Sequence, residues 1–330
     1  DAMYGKNAKS KGILGAILAL ILATLVPVYN FTHPDFKEEC FRFDAPDVAT
    51  WPWGVCVLKH VDIKSDKFII YNPGTLEKHS FLTGNVGGKN NEALLKHLGK
   101  NTPTIVTWTL YPSKMEALDN SIDEEKSGAF TLYTENRLDY IQSTVMPNLR
   151  TFIGPPKDII MMGTSRGGWN ALQLYRRNKE MFSKLILVSP MMTTCDPFDI
   201  TMNPIKVAIA IATQQWAMLA MAGENKCMKN LEHPGKEFNH IMVGEMFKSY
   251  YDPKKDKTAY TKANPFTWDY DATWAKTLVL STPEDEFPFY DANYQFNFLI
   301  FSKGVKSKFV KTTGKHGAFD VKAIEDFINL

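Results

Sequence analysis

Metal-binding patterns are missing from this sequence. Its four cysteines, Cys40, Cys56, Cys195 and Cys227, include no C-x-x-C pair, and its seven histidines form neither H-E-x-x-H nor H-x-x-x-H. No metal or cofactor is therefore expected. A charge excess of either sign is missing too: 38 Lys and Arg against 36 Asp and Glu leave +2. Such a weak field does not collect nucleic acid, so no nucleic-acid partner is expected. There is no internal repeat and no low-complexity tract. There is also no phosphate loop, because Gly84, Gly87 and Gly88 in GNVGGKNN are not followed by G-K-[ST]; that stretch reads as a flexible connection. At 330 residues and 44 % apolar composition, the chain is too hydrophobic for disorder and long enough for one large core with an insertion.

Charge is also absent from Gly12 to Tyr29, GILGAILALILATLVPVY. Its length is close to the roughly 20 residues of a bilayer-spanning helix. Lys6, Lys9 and Lys11 precede the run and Asp35, Glu38 and Glu39 follow it, which puts the amino terminus in the cytoplasm and the body outside. Residues 1–30 thus read as a transmembrane anchor. The alternatives are a signal segment, for which no small-x-small cleavage site stands near Ala23 to Val28, and a buried helix shortened by Pro27. The expected location is membrane-anchored with the body periplasmic or extracellular, or secreted after signal cleavage. An exported chain could pair Cys40 with Cys56 across a short hairpin; four buried free thiols are the other reading.

From residue 40 onward, β-rich apolar runs alternate with helical periodicity, the rhythm of an α/β architecture with a mostly parallel sheet. Strands are expected near 40–43, 54–60, 67–71, 104–108, 158–162, 184–188, 277–281 and 308–312. Helices are expected at 91–98, 134–149, after Gly168, at 293–301 and at the carboxy end. The rhythm stops near Ser189 and resumes at Thr277. Residues 31–190 and 268–330 therefore read as one core, and 191–267 as a helical cap inserted into it.

Gly163-Thr164-Ser165-Arg166-Gly167 matches G-x-S-x-G, follows the buried run DIIMM and opens the helix WNALQLYRR. That strand, turn and helix context is what a nucleophile elbow requires. Capping of the helix by Ser165, with the glycines serving packing, is the alternative. A serine hydroxyl needs a base within reach and a third group to orient that base. His316, in Gly314-Lys315-His316-Gly317, lies between the last strand and the terminal helix. The other six histidines precede the nucleophile or fall in the cap. Asp285 follows the strand TLVLS at the end of the sheet where catalytic loops gather; Glu284 is its neighbouring competitor, and Asp196 and Asp199 are weaker ones.

The order Ser165, Asp285, His316 on this sheet rhythm resembles the α/β-hydrolase superfamily across nearly all of residues 40 to 330. The resemblance implies an oxyanion hole built from the backbone N–H of Arg166 and a second N–H, from Thr75 or Leu76, after the strand ending at Tyr71. Many relatives carry His-Gly on that strand; here Asn72 and Pro73 stand there. It also implies a serine hydrolase of the carboxylesterase or lipase kind. The same triad would serve a peptidase, thioesterase or acyltransferase, and a fold kept without catalysis would make a membrane-anchored binding or assembly protein.

In the cap, Ile205 to Ala222 (IKVAIAIATQQWAMLAMA) reads as one apolar helix, preceded by Met191, Met192 and Met202. It would either pack as core or line a pocket for a small-molecule acyl ester or a lipid.

Overall fold

The computed structural model describes residues 29–32, 35–75, 80–82, 88–113, 132–153, 158–215, 217–220, 222–230 and 237–330. The apolar run before Tyr29 and the glycine-rich stretch around Gly84 and Gly87 lie outside the described residues. Among the described residues, no helix is long and apolar enough to cross a membrane.

Among the described residues nine strands form the main sheet: β1 (Tyr29–Thr32), β2 (Phe36–Phe43), β3 (Trp53–His60), β4 (Lys67–Asn72), β5 (Thr104–Leu110), β6 (Asp158–Thr164), β7 (Lys184–Val188), β10 (Lys276–Ser281) and β11 (Ser307–Lys311), in spatial order β1-β2-β3-β5-β4-β6-β7-β10-β11. β1, β2 and β3 are antiparallel, and every pairing from β5 to β11 is parallel. The parallel strands are continuous apolar runs, FIIY, IIMM and LILV, because helices cover both faces and leave no side for water. Successive residues point to opposite faces. Ile69, Ile160, Ile186 and Leu278 enter one core cluster with Leu94 and Phe327, while Ile70, Met161, Leu187 and Val279 enter the other with Trp108, Leu172 and Phe296.

The helices are α1 (Gly88–Leu98), α2 (Glu135–Tyr140), α3 (Met146–Ile153), α4 (Arg166–Arg177), α5 (Pro204–Ala212), α6 (Ala217–Ala220), α7 (Lys226–Asn230), α8 (Glu237–Tyr250), α9 (Lys257–Ala263), α10 (Tyr290–Ser302) and α11 (Val321–Ile328). α2 and α3 form one run through a π turn at Ile141–Val145, so the helix expected over 134–149 reaches Ile153.

Between β7 and β10 the chain leaves the sheet for α5 to α9 and a two-residue ribbon, β8 (Thr201–Met202) with β9 (Gly223–Glu224). This insertion is tied within itself by a disulfide and packed onto α4 by aromatic rings. A disulfide joins Cys195 to Cys227. The Trp169 ring of α4 meets Phe247 at 5.1 Å and Tyr260 at 6.0 Å between ring centroids. Cys40 pairs with Cys56, its direct cross-strand partner in β2 and β3, so the reading of four free thiols is overturned.

The single helix expected over Ile205 to Ala222 is also overturned, since α5 stops at Ala212. Thr213 Oγ1 donates back to Ile209 O at 2.8 Å, Gln214 takes a left-handed φ of 55°, and Gln215 N donates to Ala210 O at 3.1 Å. That pattern ends a helix by satisfying its last carbonyls. Nor is α5 core: only Ala210 is buried, and Ile205, Ile209 and Ile211 are exposed.

Candidate active site

β6 ends at Thr164 and α4 starts at Arg166, leaving Ser165 alone to turn the chain. It does so at φ 56°, ψ −123°, a conformation that costs a non-glycine residue about 1–3 kcal/mol. Its surroundings hold it there: Ser165 N donates to Val188 O at 2.9 Å, and Ser165 O accepts from Gly168 N and Met191 N, each at 2.9 Å. A Cβ on Gly167 would stand 2.0 Å from Asn72 O, and one on Gly163 would stand 2.2 Å from Gly167 O. The elbow glycines are thus required by close backbone approach, which brings the end of β4 onto the first turn of α4.

Arg166 is the first residue of α4, so its backbone N–H has no acceptor within the helix. Its buried guanidinium donates to Pro73 O at 3.1 Å and Gly74 O at 3.2 Å. These bonds fasten the loop after β4 against the Ser165 turn and place half-buried Thr75 next in the chain. Leu76 lies outside the described residues. Asn72, the last residue of β4, turns into the sheet and donates to Met162 O at 3.3 Å.

Asp285 and His316 are brought together from loops after neighbouring strands β10 and β11. His316 Nδ1 lies 2.9 Å from Asp285 Oδ1 and 2.8 Å from Oδ2, and Asp285 is 2 % exposed. A carboxylate on Nδ1 favours the tautomer that carries its proton there and leaves a lone pair on Nε2. Nε2 is buried and makes no hydrogen bond among the described residues. Phe287 meets the imidazole at 4.7 Å and Phe289 at 5.6 Å between centroids, so the ring packs against two aromatic side chains. Glu284 is exposed and makes no hydrogen bond or ion pair with His316, and Asp196 pairs instead with Lys257 in the cap at 2.6 Å. Asp199 is exposed in a turn after β7.

The histidine loop is held by residues that sequence patterns did not single out. Thr282 Oγ1 donates to Gly314 O at 2.7 Å, Asn90 Nδ2 to Gly317 O at 2.9 Å, and Gly317 N to Ser189 Oγ at 3.3 Å. His316 N donates to Glu286 Oε2 at 3.1 Å. Partial burial opposes ionisation of Glu286, but the His316 N–H, its own N–H and Lys315 outweigh it and hold its carboxyl below the ordinary value. Gly317 turns at φ 75°, and a Cβ there would meet Thr164 Cγ2 at 3.4 Å. The histidine loop therefore lies against the residue before Ser165. No local pattern marks Asn90 or Ser189; they matter through a fold that brings positions over a hundred residues apart onto one loop.

A mostly parallel sheet with a strained serine between a strand and a helix, and a histidine–aspartate pair on the loops after its last two strands, is the α/β-hydrolase fold. Solved structures share it over nearly the whole chain at low identity. A bacterial heroin esterase matches with TM-score 0.54 and 12 % identity over 98 % of this chain and 90 % of its own. The Francisella virulence factor BioJ matches with TM-score 0.54 and 16 % identity over 97 % and 90 %. A Pyrobaculum calidifontis esterase matches with TM-score 0.50 and 13 % identity over 99 % and 92 %. No protein-family model and no curated protein matches the chain.

Proposed function

We propose that this chain is a serine hydrolase that cleaves carboxylic esters, with Ser165 as nucleophile, His316 as base and Asp285 as the acid that orients it. The observation that carries this reading is the hydrogen-bonded His316–Asp285 pair with an uncommitted Nε2, on a loop packed beside the strained Ser165 turn. The esterase names of the solved structures with this fold agree with it.

In this mechanism Ser165 Oγ bonds to the ester carbonyl carbon as His316 Nε2 takes the hydroxyl proton. The negative oxygen is met by the Arg166 N–H and a second N–H at Thr75 or Leu76. The C–O bond to the alcohol breaks, and the alcohol leaves with the proton from His316. Water then repeats the sequence on the acyl-enzyme, its proton passing through His316 back to Ser165, and the carboxylic acid is released. The positive end of α4 lies behind the oxyanion and adds to its stabilisation.

The test is covalent labelling by a fluorophosphonate probe. Wild type should label, and folded Ser165→Ala and His316→Ala should not. A folded wild type that resists labelling and hydrolyses no ester in a chain-length series would overturn the proposal.

A further inference from the structure

The amphipathicity of α5 is inverted. At 3.6 residues per turn, Pro204, Ile205, Ala208, Ile209, Ile211 and Ala212 share an arc of roughly 160°, and all six are exposed, Ile205 by 70 % and Ile211 by 55 %. No side chain in that arc can make a hydrogen bond. The one charge on the helix, Lys206, is on the other side, 3.2 Å from Glu224. Asn203 caps the helix by accepting from Ile205 N and Lys206 N, so α5 is well formed while its apolar face points outward. Exposed Met202 precedes it. A water-facing helix places its residues the other way round, and a contiguous exposed apolar patch marks a site that something covers.

The sheet register indicates what covers it. Tyr29, the first residue of β1, pairs with Cys40, and the same level runs through Cys56, Thr107 and Tyr71 to Met162, three residues before Ser165. Because β1 is antiparallel to the parallel strands, it enters the sheet from the end that carries Ser165. The cap springs from that end too, since Met191 N bonds Ser165 O. Tyr29, at that end of the sheet, is also the last residue of the uncharged sequence Gly12 to Tyr29.

We propose that α5 inserts its outward face into a lipid bilayer lying across the Ser165 end of the sheet. A helix of nine residues is about 14 Å long, enough to enter one leaflet and too short to cross. A protein partner would be expected to meet polar groups in the patch, because interfaces of ordinary composition carry about one hydrogen bond per 100–200 Å²; the α5 arc offers none. Resting on the hydrolase reading above, this placement assigns the substrate class: acyl esters resident in the bilayer, entering beneath the cap.

The test uses the full chain in phosphatidylcholine vesicles. All four cysteines are in disulfides, so Ile209→Cys supplies a unique thiol for a polarity-sensitive fluorophore, with Lys308→Cys on the far edge strand as control. The label at 209 should shift to the blue on vesicles and be quenched by doxyl groups on the lipid chains, while the label at 308 stays open to aqueous iodide. Iodide access at 209 on vesicles would overturn the proposal. So would a blue shift that follows protein concentration rather than lipid, which would assign the face to a second copy. Replacing Ile205, Ile209 and Ile211 with Ser should lower turnover of a vesicle-borne long-chain ester, relative to a short soluble ester, on the order of tenfold. An unchanged ratio would refute the substrate assignment. Failure of wild type to label with fluorophosphonate would remove the hydrolase reading and leave the lipid quenching at 209 to decide the docking.

Discussion

Asp285→Asn tests the arrangement around His316 with one atom changed. Asp285 Oδ1 already accepts from Phe287 N at 2.9 Å, so an asparagine here keeps its carbonyl oxygen toward that N–H and turns its amide nitrogen toward His316 Nδ1. Two donors cannot face each other, so the imidazole moves its proton to Nε2, and the lone pair that the proposed mechanism uses for the Ser165 proton is gone. The loss expected from the wrong tautomer with geometry intact is about 10⁴-fold in kcat. Stability should change little, because the substitution is isosteric and the Phe287 bond survives. The assay is the second-order rate of fluorophosphonate labelling beside hydrolysis of a short ester, with thermal unfolding as a check on the fold. A folded Asp285→Asn within tenfold of wild type would refute the orienting role and with it the assignment of His316 as base.

Three further outcomes are expected. Gly167→Ala sets a methyl 2.0 Å from Asn72 O and 2.5 Å from Pro73 O, backbone atoms that cannot swing aside; unfolding by denaturant should show a loss of at least ~2 kcal/mol, with labelling slowed as the loop after β4 is displaced. Removing the Cys195–Cys227 disulfide, whose separation is 32 residues, should destabilise by about 4 kcal/mol on loop-closure grounds, seen as early proteolysis between β7 and β10. Glu38 is fully buried and accepts from Ser80 Oγ at 2.6 Å and Phe81 N at 2.7 Å, yet desolvation outweighs these bonds and raises its pKa above the usual 4.5. A carboxyl raised on folding contributes stability below its unfolded pKa and loses that contribution as pH rises through the folded one. Denaturant midpoints measured upward from pH 4.5 should therefore contain a falling component that Glu38→Gln abolishes; an identical profile in the variant would contradict it.

Much of the fold was legible in the residues. The buried runs FIIY, IIMM, LILV and TLVLS became strands at nearly their expected limits, because a strand covered on both faces has no solvent side and takes consecutive apolar side chains. Ser165, Asp285 and His316 were legible as candidates for a related reason: Ser165 directly follows β6, and Asp285 and His316 lie on the loops after β10 and β11, and strand ends are visible as breaks in those runs. What failed was local continuity in the cap. The apolar stretch from Ile205 gave no warning of the stop at Thr213, since the stop depends on a left-handed glutamine in place of the usual glycine.

The residues alone determined the strand rhythm, the elbow and the order of the three candidate site residues, because those depend on short-range hydrophobic periodicity and turn chemistry. Only the tertiary structure decided which carboxylate meets the imidazole, which loops clamp it and which face of α5 points outward. Asp285 and Glu284 are adjacent and chemically alike; the path of the chain after β10 buries one against Nδ1 and leaves the other in water. An apolar helix likewise reads the same in sequence whether its face is packed or exposed. Burial is a property of what stands opposite, and that is set by chain segments far away in sequence.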